Sequence, residues 1–452
     1  MSFVQHFATT ADWCDLGQMS IDMLPDEVVL EIFDFYRLQT SGSPPEGTGA
    51  WHTLVHVCRH WRMVVFGSPL RLNLQLLCTA KTPVKETLDV WPALPIRVQN
   101  LGPICQWGRD VDNISDVLKH SDRICEIILH HVPNRLLQDV LAALMLEPFP
   151  LLTNVVVIAS NCDRAMSVPR DIFSAGSAQC LRKIRLEGFS LPALPQLFLC
   201  ATVTHLVHLA LLELPHARHM SPEATATSLS AMTSLEFLQL DFQTPRSHPI
   251  WWVDQRPRPP TRSLFPSLTT FGFHGVCGYL EDFVARIDAP RLNLLSITFF
   301  NHFVFETSQL ASFTTRTPSF RDPNVAHVSI RNCVGVVSFS SRTPGFGVFN
   351  VKVPCPRLFS QLPSLVQVCS SFSPPLSTVE NLFIHKPESL QELQSDCDTE
   401  NAEWLKLLRS FTAVNNLYIY ELFVPRILAA LGGPEGIPEV LPVLRYIFKG
   451  DV

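Results

Sequence analysis

One short apolar pattern recurs along most of this chain and constrains its fold more than any other feature. In each copy an apolar residue is followed by two variable residues and then by an apolar–variable–apolar triplet. A weak last copy begins at Leu444, and the clear copies begin at Ile124, Leu152, Leu181, Leu206, Leu235, Leu268, Leu292, Val325, Val379 and Val414. The triplet has the period-two alternation of a short strand that buries one face. We therefore expect a stack of similar units that bury their apolar faces against one another.

The intervals between copies are uneven, and the double-length gap from Val325 to Val379 predicts a degenerate copy near Val348. Helix-compatible stretches such as Leu191–Ala201 and Glu223–Met232 separate the strands. The formula resembles the strand signature of leucine-rich repeats, whose period is roughly 20–29 residues. The resemblance implies an irregular α/β solenoid with parallel strands on the concave face and helices on the convex face. The alternative is a doubly wound sheet, which also alternates strands and helices.

The repeat formula also assigns side chains to the two faces of each strand. Inward positions would be Ile184, Leu186, Leu209, Leu211, Leu238, Leu240, Leu295, Ile297, Leu417 and Ile419. Candidate target-binding residues on the concave face are Lys183, Arg185, Phe237, Gln239, Phe383, His385, Tyr418 and Tyr420. Because exposed aromatic residues are common interface hot spots, we expect the aromatic C-terminal copies to anchor a protein target. The alternative is that a capping segment covers these aromatic side chains.

Residues 21–38 predict a helix. Pro25 suits its first turn, and Asp26 and Glu27 suit the positive end of the helix dipole. Its apolar residues recur at helical spacing and are Val28, Val29, Ile32, Phe33 and Tyr36. These positions predict one apolar face of the helix.

A Gly-, Ser- and Pro-containing segment, Thr40–Gly49, predicts a loop after this helix. The residues that follow predict one further helix with an apolar face from Trp51 to Val65, ended by Gly67-Ser68-Pro69. His52, His56 and His60 recur every four residues on it. We interpret them as a solvated helix face rather than a metal site, because no third type of ligand is placed nearby.

The N-terminal motifs resemble the F-box. They are Leu24-Pro25-x-Glu27-Val28-Val29-x-x-Ile32-Phe33 and then Val57-Cys58-Arg59-x-Trp61-Arg62, with a longer loop between them than a compact F-box has. Together with the irregular repeats they resemble the expanded F-box families of basidiomycete fungi. The resemblance implies binding to a Skp-type adaptor and, through it, to a cullin ubiquitin ligase. At the matching positions the implied adaptor contacts are Leu24, Pro25, Val28, Ile32, Val57, Cys58 and Trp61.

These patterns divide the chain into successive regions. The predicted regions are an N-terminal tail at 1–20, the F-box-like helical module at 21–70, a linker and first helices at 71–120, and the solenoid at 121–452. A segment rich in proline and arginine, 243–263, interrupts the solenoid and predicts a long exposed loop. Trp251-Trp252 within it is either part of a plain insertion or a contact anchor.

Composition and charge limit the classes of partner and the cellular compartments that we expect for this chain. A net charge of −6 supplies no broad basic field for nucleic acid. We find neither a signal peptide nor a run of roughly 18 uncharged apolar residues that would span a membrane. The 13 cysteines include no Cys-x-x-Cys pair and predict reduced thiols in the cytoplasm or nucleus.

The sequence contains no motif typical of catalysis. A phosphate-binding loop, a nucleophile elbow and a His-Glu-x-x-His zinc motif are all missing, so we expect no catalytic residue, no metal and no cofactor. The resemblance then implies the substrate-recognition subunit of an SCF-type ligase, which brings an unknown protein target to the cullin complex. A non-catalytic interaction scaffold with a degenerate F-box is the alternative, while an enzyme built on an α/β sheet has no motif in its favour.

Overall fold

A computed structural model gives the fold of the chain. It describes residues 24–40, 50–69, 71–79, 84–90, 93–100, 111–160, 166–168, 172, 178–190, 205–215, 221–243, 262–300, 307–331, 334–341, 347–354, 361–371, 376–385, 397–432 and 437–450. The predicted N-terminal tail, the stretch Leu191–Ala201 and nearly all of the 243–263 segment, including Trp251 and Trp252, lie outside these residues.

Helices and strands alternate along the described residues. The helices are α1 (Asp26–Thr40), α2 (Ala50–Val55), α3 (Arg59–Gly67), α4 (Val84–Val90), α5 (Val111–Leu118), α6 (Asn134–Leu146), α7 (Pro222–Ser230), α8 (Cys277–Ala285), α9 (Ser308–Arg316), α10 (Gln361–Ser371), α11 (Cys397–Arg409), α12 (Val424–Ala430) and α13 (Ile437–Val440). Two short 3-10 helices cover Pro318–Phe320 and Glu421–Phe423.

The strands of the main sheet follow the repeat pattern closely. They are β1 (Leu76–Cys78), β2 (Ile96–Asn100), β3 (Ile124–Val132), β4 (Asn154–Ala159), β6 (Lys183–Glu187), β8 (His208–Leu214), β9 (Phe237–Phe242), β11 (Thr270–Gly275), β13 (Leu294–Phe299), β14 (Val325–Arg331), β15 (Val334–Ser340), β16 (Val348–Pro354), β17 (Asn381–His385), β18 (Asn416–Ile419) and β19 (Tyr446–Lys449). Two separate two-stranded parallel pairs join β5 (Met166–Ser167) to β7 (Phe189–Ser190) and β10 (Ser263–Leu264) to β12 (Ile287–Asp288).

The chain is therefore an α/β protein built on one large, mostly parallel sheet of 15 strands. From β1 to β13 the sheet advances steadily, because each strand pairs in parallel with the next main-sheet strand of the chain. A doubly wound sheet would instead reverse its order at a switch point. Parallel pairing also continues from β14 through β17 and β18 to β19.

The double-length gap contains a local exception. The predicted degenerate copy at Val348 does form a strand, β16, but β16 pairs with β13. The chain reaches β14 first and returns through β15, which is antiparallel to both β14 and β16. The predicted copy at Val325 also pairs in a different register from the one expected. Ala326 and Val328 lie opposite Leu382 and Ile384, whereas the repeat pattern would place Val328 opposite Leu382. A shift of two residues keeps the same face buried, because side chains alternate with period two.

The segment 71–120 corrects one predicted boundary. It was expected to hold a linker and the first helices, yet it also supplies β1 and β2, so the sheet begins at Leu76. These strands are short and lack the full repeat formula, and their apolar residues follow only a plain alternation through Ile96 and Val98.

One hydrophobic core runs along the sheet on the side that alternate strand residues bury. All ten predicted inward residues, from Ile184 to Ile419, are buried in it. Residues directly opposite each other in the register form continuous apolar rows, for example Ile184, Leu209 and Leu238. On β6, β9 and β13 the intervening side chains are only partly covered or exposed. We call the face that carries them the open face.

The helices also pack on one another through polar contacts between successive repeats. The Glu281 carboxylate in α8 accepts hydrogen bonds from the backbone N–H groups of Gln309 and Leu310, at 2.7 Å and 2.8 Å, and so caps α9. At the other end of α9 the Arg316 guanidinium donates to the Asp288 carboxylate at 2.8 Å and to backbone carbonyls at the end of α8. These contacts fix the spacing of neighbouring helices.

Candidate functional site

Helix α1 has apolar side chains on two faces. One face is buried against α2 and α3 and comprises Val29, Leu30 and Phe33. The other, a stripe at positions i, i+4 and i+7, comprises Val28, Ile32 and Phe35, which remain 43%, 40% and 64% exposed. We call these three residues the α1 stripe. A helix that is apolar beyond its buried face is typical of an element that contacts a partner.

The predicted adaptor-contact residues separate into exposed and covered groups. Pro25, Val28, Ile32 and Val57 are exposed, while Leu24 and Cys58 are half-buried. Trp61 is only 8% exposed and packs edge-on against Phe33, with 4.8 Å between ring centroids. Trp61 is thus a core residue of the helical module, and its direct contact with the adaptor stays a prediction. Phe35, and Met63 on α3, are strongly exposed and were missed by the motif match.

The single helix predicted after the loop is divided into α2 and α3 at Cys58. The Cys58 backbone is extended, and its thiol accepts a hydrogen bond from the Trp61 backbone N–H at 3.4 Å, which caps α3. The Arg62 guanidinium donates to the Val55 carbonyl at 3.0 Å, holding the end of α2 against α3. Because the helix is interrupted here, His56 and His60 do not share one continuous helix face, and the His52 side chain lies outside the description. His60 instead approaches the Asp26 carboxylate at 3.5 Å.

The open face changes character along the sheet, and its first half is polar. Arg97 pairs with Glu126 at 3.2 Å, and Arg185 pairs with Glu187 at 2.9 Å. In the next row Lys183 lies opposite His208, which in turn lies opposite Phe237. The sheet therefore places the predicted residues Lys183 and Arg185, on β6, and Phe237, on β9, on one surface with β8 between them.

Aromatic and small residues mark the middle of the open face. The His208 and Phe237 rings stack with 4.0 Å between centroids and 5° between planes. Burial, followed by the charges of Lys183 and Arg185, lowers the pKa of His208 to about 4, so the imidazole is neutral at pH 7. The predicted residue Gln239 extends across Gly272, where an added Cβ would meet the Gln239 Cγ at 3.3 Å.

The second half of the open face carries a continuous aromatic row. His327, Phe383, Tyr418 and Phe448 lie opposite one another on β14, β17, β18 and β19. Successive ring centroids are 4.8 Å, 4.2 Å and 4.6 Å apart, and the planes differ by 20°, 5° and 11°. We call these four residues the aromatic row. It brings the predicted residues Phe383 and Tyr418 together and adds His327 and Phe448, which sequence reasoning missed.

The remaining predicted residues flank this row. His385 stacks on His327 with centroids 4.8 Å apart, and a hydrogen bond of 2.6 Å joins His385 Nε2 to His327 Nδ1. Burial and then the neighbouring His385 lower the pKa of His327 to about 4, so the His327 imidazole is neutral at pH 7. Tyr420 follows β18 and is half-buried against the core, with its backbone N–H bonded to the Ile384 carbonyl at 3.0 Å. It therefore lies beside the row rather than in it.

No protein-family model matches the chain, and no curated protein does. Within the described ranges no cluster of three or more His, Cys, Asp or Glu side chains could hold a metal ion. Nor, among the helices the structure describes, is one both long and apolar enough to span a bilayer.

Proposed function

We propose that this chain is the substrate-recognition subunit of an SCF-type cullin ubiquitin ligase. The α1 stripe binds a Skp-type adaptor, and the open face of a leucine-rich-repeat-like solenoid binds the protein target. The chain performs no chemistry in this role, and its effect is to hold the target near the ligase in a fixed orientation. The observation that carries the proposal is the coincidence of the F-box-like motif with an exposed apolar stripe on the same helix.

The α1 stripe supports adaptor binding for a physical reason. Val29, Leu30 and Phe33 anchor α1 in the buried core of the module, whereas Val28, Ile32 and Phe35 lie outside that core and are exposed. Three large apolar side chains on one exposed stripe would release ordered water on binding an apolar groove, as amphipathic helices do in helix-in-groove recognition. Val57 extends the exposed apolar set to the turn between α2 and α3.

The open face supports target binding in two different ways. Its first half offers charged side chains, which steer encounter and fix orientation more than they add affinity. Its second half offers aromatic rings on a rigid sheet, where loss of conformational entropy on binding is small. We therefore propose that the aromatic row anchors the target while Lys183 and Arg185 orient it.

Affinity purification tests the proposal against the scaffold alternative. The tagged chain, expressed in fungal cells, should co-purify a Skp-type adaptor and a cullin that mass spectrometry identifies. Val28→Asp/Ile32→Asp should lose both proteins while still retaining proteins bound through the open face. Recovery of other partners without any adaptor or cullin from the unaltered chain would favour the scaffold.

A further inference from the structure

The sheet ends at β19, a strand whose outer edge no other described strand pairs with. β19 pairs with β18 in parallel. The N–H groups of Tyr446 and Gly450 point towards β18, where they bond to the carbonyls of Asn415 and Ile419 at 3.1 Å and 3.4 Å. Successive backbone groups of a strand point to opposite sides, so the N–H groups of Ile447 and Lys449 point outward from the sheet. These two amides can receive a further strand.

The aromatic row runs directly into this edge. Phe448 is its last ring and is 43% exposed; it stacks on Tyr418 and has a tilted contact with Tyr446, with centroids 6.1 Å apart. Tyr446, on the same side of β19, is 61% exposed. Neighbouring strands are about 4.7–4.9 Å apart. A side chain opposite Phe448 on an added strand would therefore continue the stack at the spacing already seen between β17, β18 and β19.

The charges at this edge are basic. Arg445 and Lys449 are both exposed at the two ends of β19, and neither has a salt bridge with another described residue. Acidic residues flanking an incoming strand would meet these two cations. The edge is also short and carries a lysine, two features that limit uncontrolled edge-to-edge association.

We infer that the target is recognised by strand addition: an extended peptide segment of the target pairs with the outer edge of β19. The segment carries aromatic or aliphatic residues two positions apart, opposite Tyr446 and Phe448, and acidic residues beside them. Backbone hydrogen bonds to Ile447 and Lys449 provide affinity for any extended chain, and the ring stack provides selectivity. The inference rests on the proposed function only in naming the peptide's source as the ligase target.

A matched pair of variants at one residue isolates the backbone contribution. Lys449→Pro removes the outward N–H, and proline is tolerated on an edge strand where that N–H faces solvent. Lys449→Ala removes the same charge but keeps the N–H. Phe448→Ala removes the terminal ring, and Leu146→Ala, the control, removes an exposed apolar side chain at the end of α6, outside the open face.

The probe is a phage-displayed library of random twelve-residue peptides, selected on the full-length chain and followed by titration of the enriched sequence as a synthetic peptide. We expect apolar residues two positions apart and a Kd weakened at least tenfold by Lys449→Pro and by Phe448→Ala. Lys449→Ala should weaken binding at most about fivefold, as for an exposed ion pair, and Leu146→Ala should leave it unchanged. Two N-methylated versions of the peptide should differ, one methylated at every odd-numbered backbone nitrogen and the other at every even-numbered one. Only one of them should bind more weakly, because only alternate N–H groups of the added strand face β19.

Three results would overturn the inference. The first is that no peptide is enriched, and the second is that Lys449→Pro and Lys449→Ala bind the peptide with equal affinity. The third is that the unaltered chain self-associates and Lys449→Pro abolishes this, because the edge would then bind a second copy of the chain. Adaptor binding, measured on the same preparations, should be unaffected by all four variants. Failure of the unaltered chain to bind the adaptor would count against the proposed function and leave the peptide result intact.

Discussion

Phe383 and Tyr418 face each other across β17 and β18 with 4.2 Å between ring centroids and 5° between ring planes. The two positions are directly opposite in the parallel register, so the sheet itself brings the rings together. Their neighbours Leu382 and Leu417 are fully buried on the other side. On each of these two strands, one residue therefore packs in the core and the next residue lies on the open face.

A double-mutant cycle tests this separation. Phe383→Ala and Tyr418→Ala should show a coupling free energy of about 0.5–1.5 kcal/mol, the range for stacked aromatic pairs. Leu417→Ala should cost about 2–5 kcal/mol of unfolding free energy, because it leaves a cavity in the core. Urea denaturation measures four variants: Phe383→Ala, Tyr418→Ala, the double variant that combines them, and Leu417→Ala. A Tyr418→Ala cost as large as that of Leu417→Ala would place the tyrosine in the core.

Trp61 should act through stability rather than contact. Trp61→Ala removes a buried ring that packs on Phe33 and should destabilise the helical module by about 3–5 kcal/mol. Hydrogen exchange should then show faster exchange of the α1 and α3 amides, with those of β6 to β13 unchanged. Normal protection of α1 in this variant would contradict the core assignment.

Glu281 should stabilise the contact between α8 and α9. Glu281→Ala leaves the Gln309 and Leu310 N–H groups without this carboxylate and should cost about 0.5–2 kcal/mol, the range for a lost helix cap. Glu281→Gln keeps an acceptor oxygen and should cost less, because only the charge–dipole contribution is lost. Thermal unfolding of the two variants provides the comparison, and equal losses would argue against capping.

Two open-face histidines should contribute to the pH dependence of stability. The folded-state pKa of His208 and of His327 is about 4, against an unfolded value of 6.5. Between these values the unfolded chain binds more protons, so the free energy of unfolding falls as pH falls from 6.5 towards 4. His208→Gln/His327→Gln should show a shallower loss over this window in chemical denaturation. Parallel profiles for variant and unaltered chain would contradict neutral imidazoles in the fold.

The repeat formula predicted most strands because it combines period-two alternation with a leading apolar residue that is itself buried, as at Leu181, Leu206 and Leu235. It could not predict β15, whose antiparallel pairing depends on β14 and β16 lying apart in the sheet. Strand order is a tertiary property, and a local pattern such as that of Val334–Ser340 does not encode it.

The candidate sites were predicted unevenly for a similar reason. Motif matching grouped the exposed residues Val28 and Ile32 with the buried Trp61, because a sequence motif does not distinguish surface residues from core residues. The single apolar face predicted for α1 is divided, with Val29 and Phe33 buried and Val28 and Ile32 exposed. Phe35 could have been found from its i+7 spacing to Val28. The contact of His327 with Phe383 depends on the register of β14 with β17. The repeat pattern predicted a register that differs from the observed one by two residues, so sequence analysis missed this contact.

Direct titration of a purified Skp-type adaptor into the full-length chain tests the central claim. Ile32→Asp places a charge in the α1 stripe and should weaken adaptor binding at least about thirtyfold, equivalent to a hot-spot loss of about 2 kcal/mol. Leu146→Asp is the matched control, since Leu146 is a 78% exposed apolar residue at the end of α6, outside the module. This variant should bind the adaptor with the same affinity as the unaltered chain. Equal binding by Ile32→Asp and the unaltered chain, or no adaptor binding by either, would contradict the account.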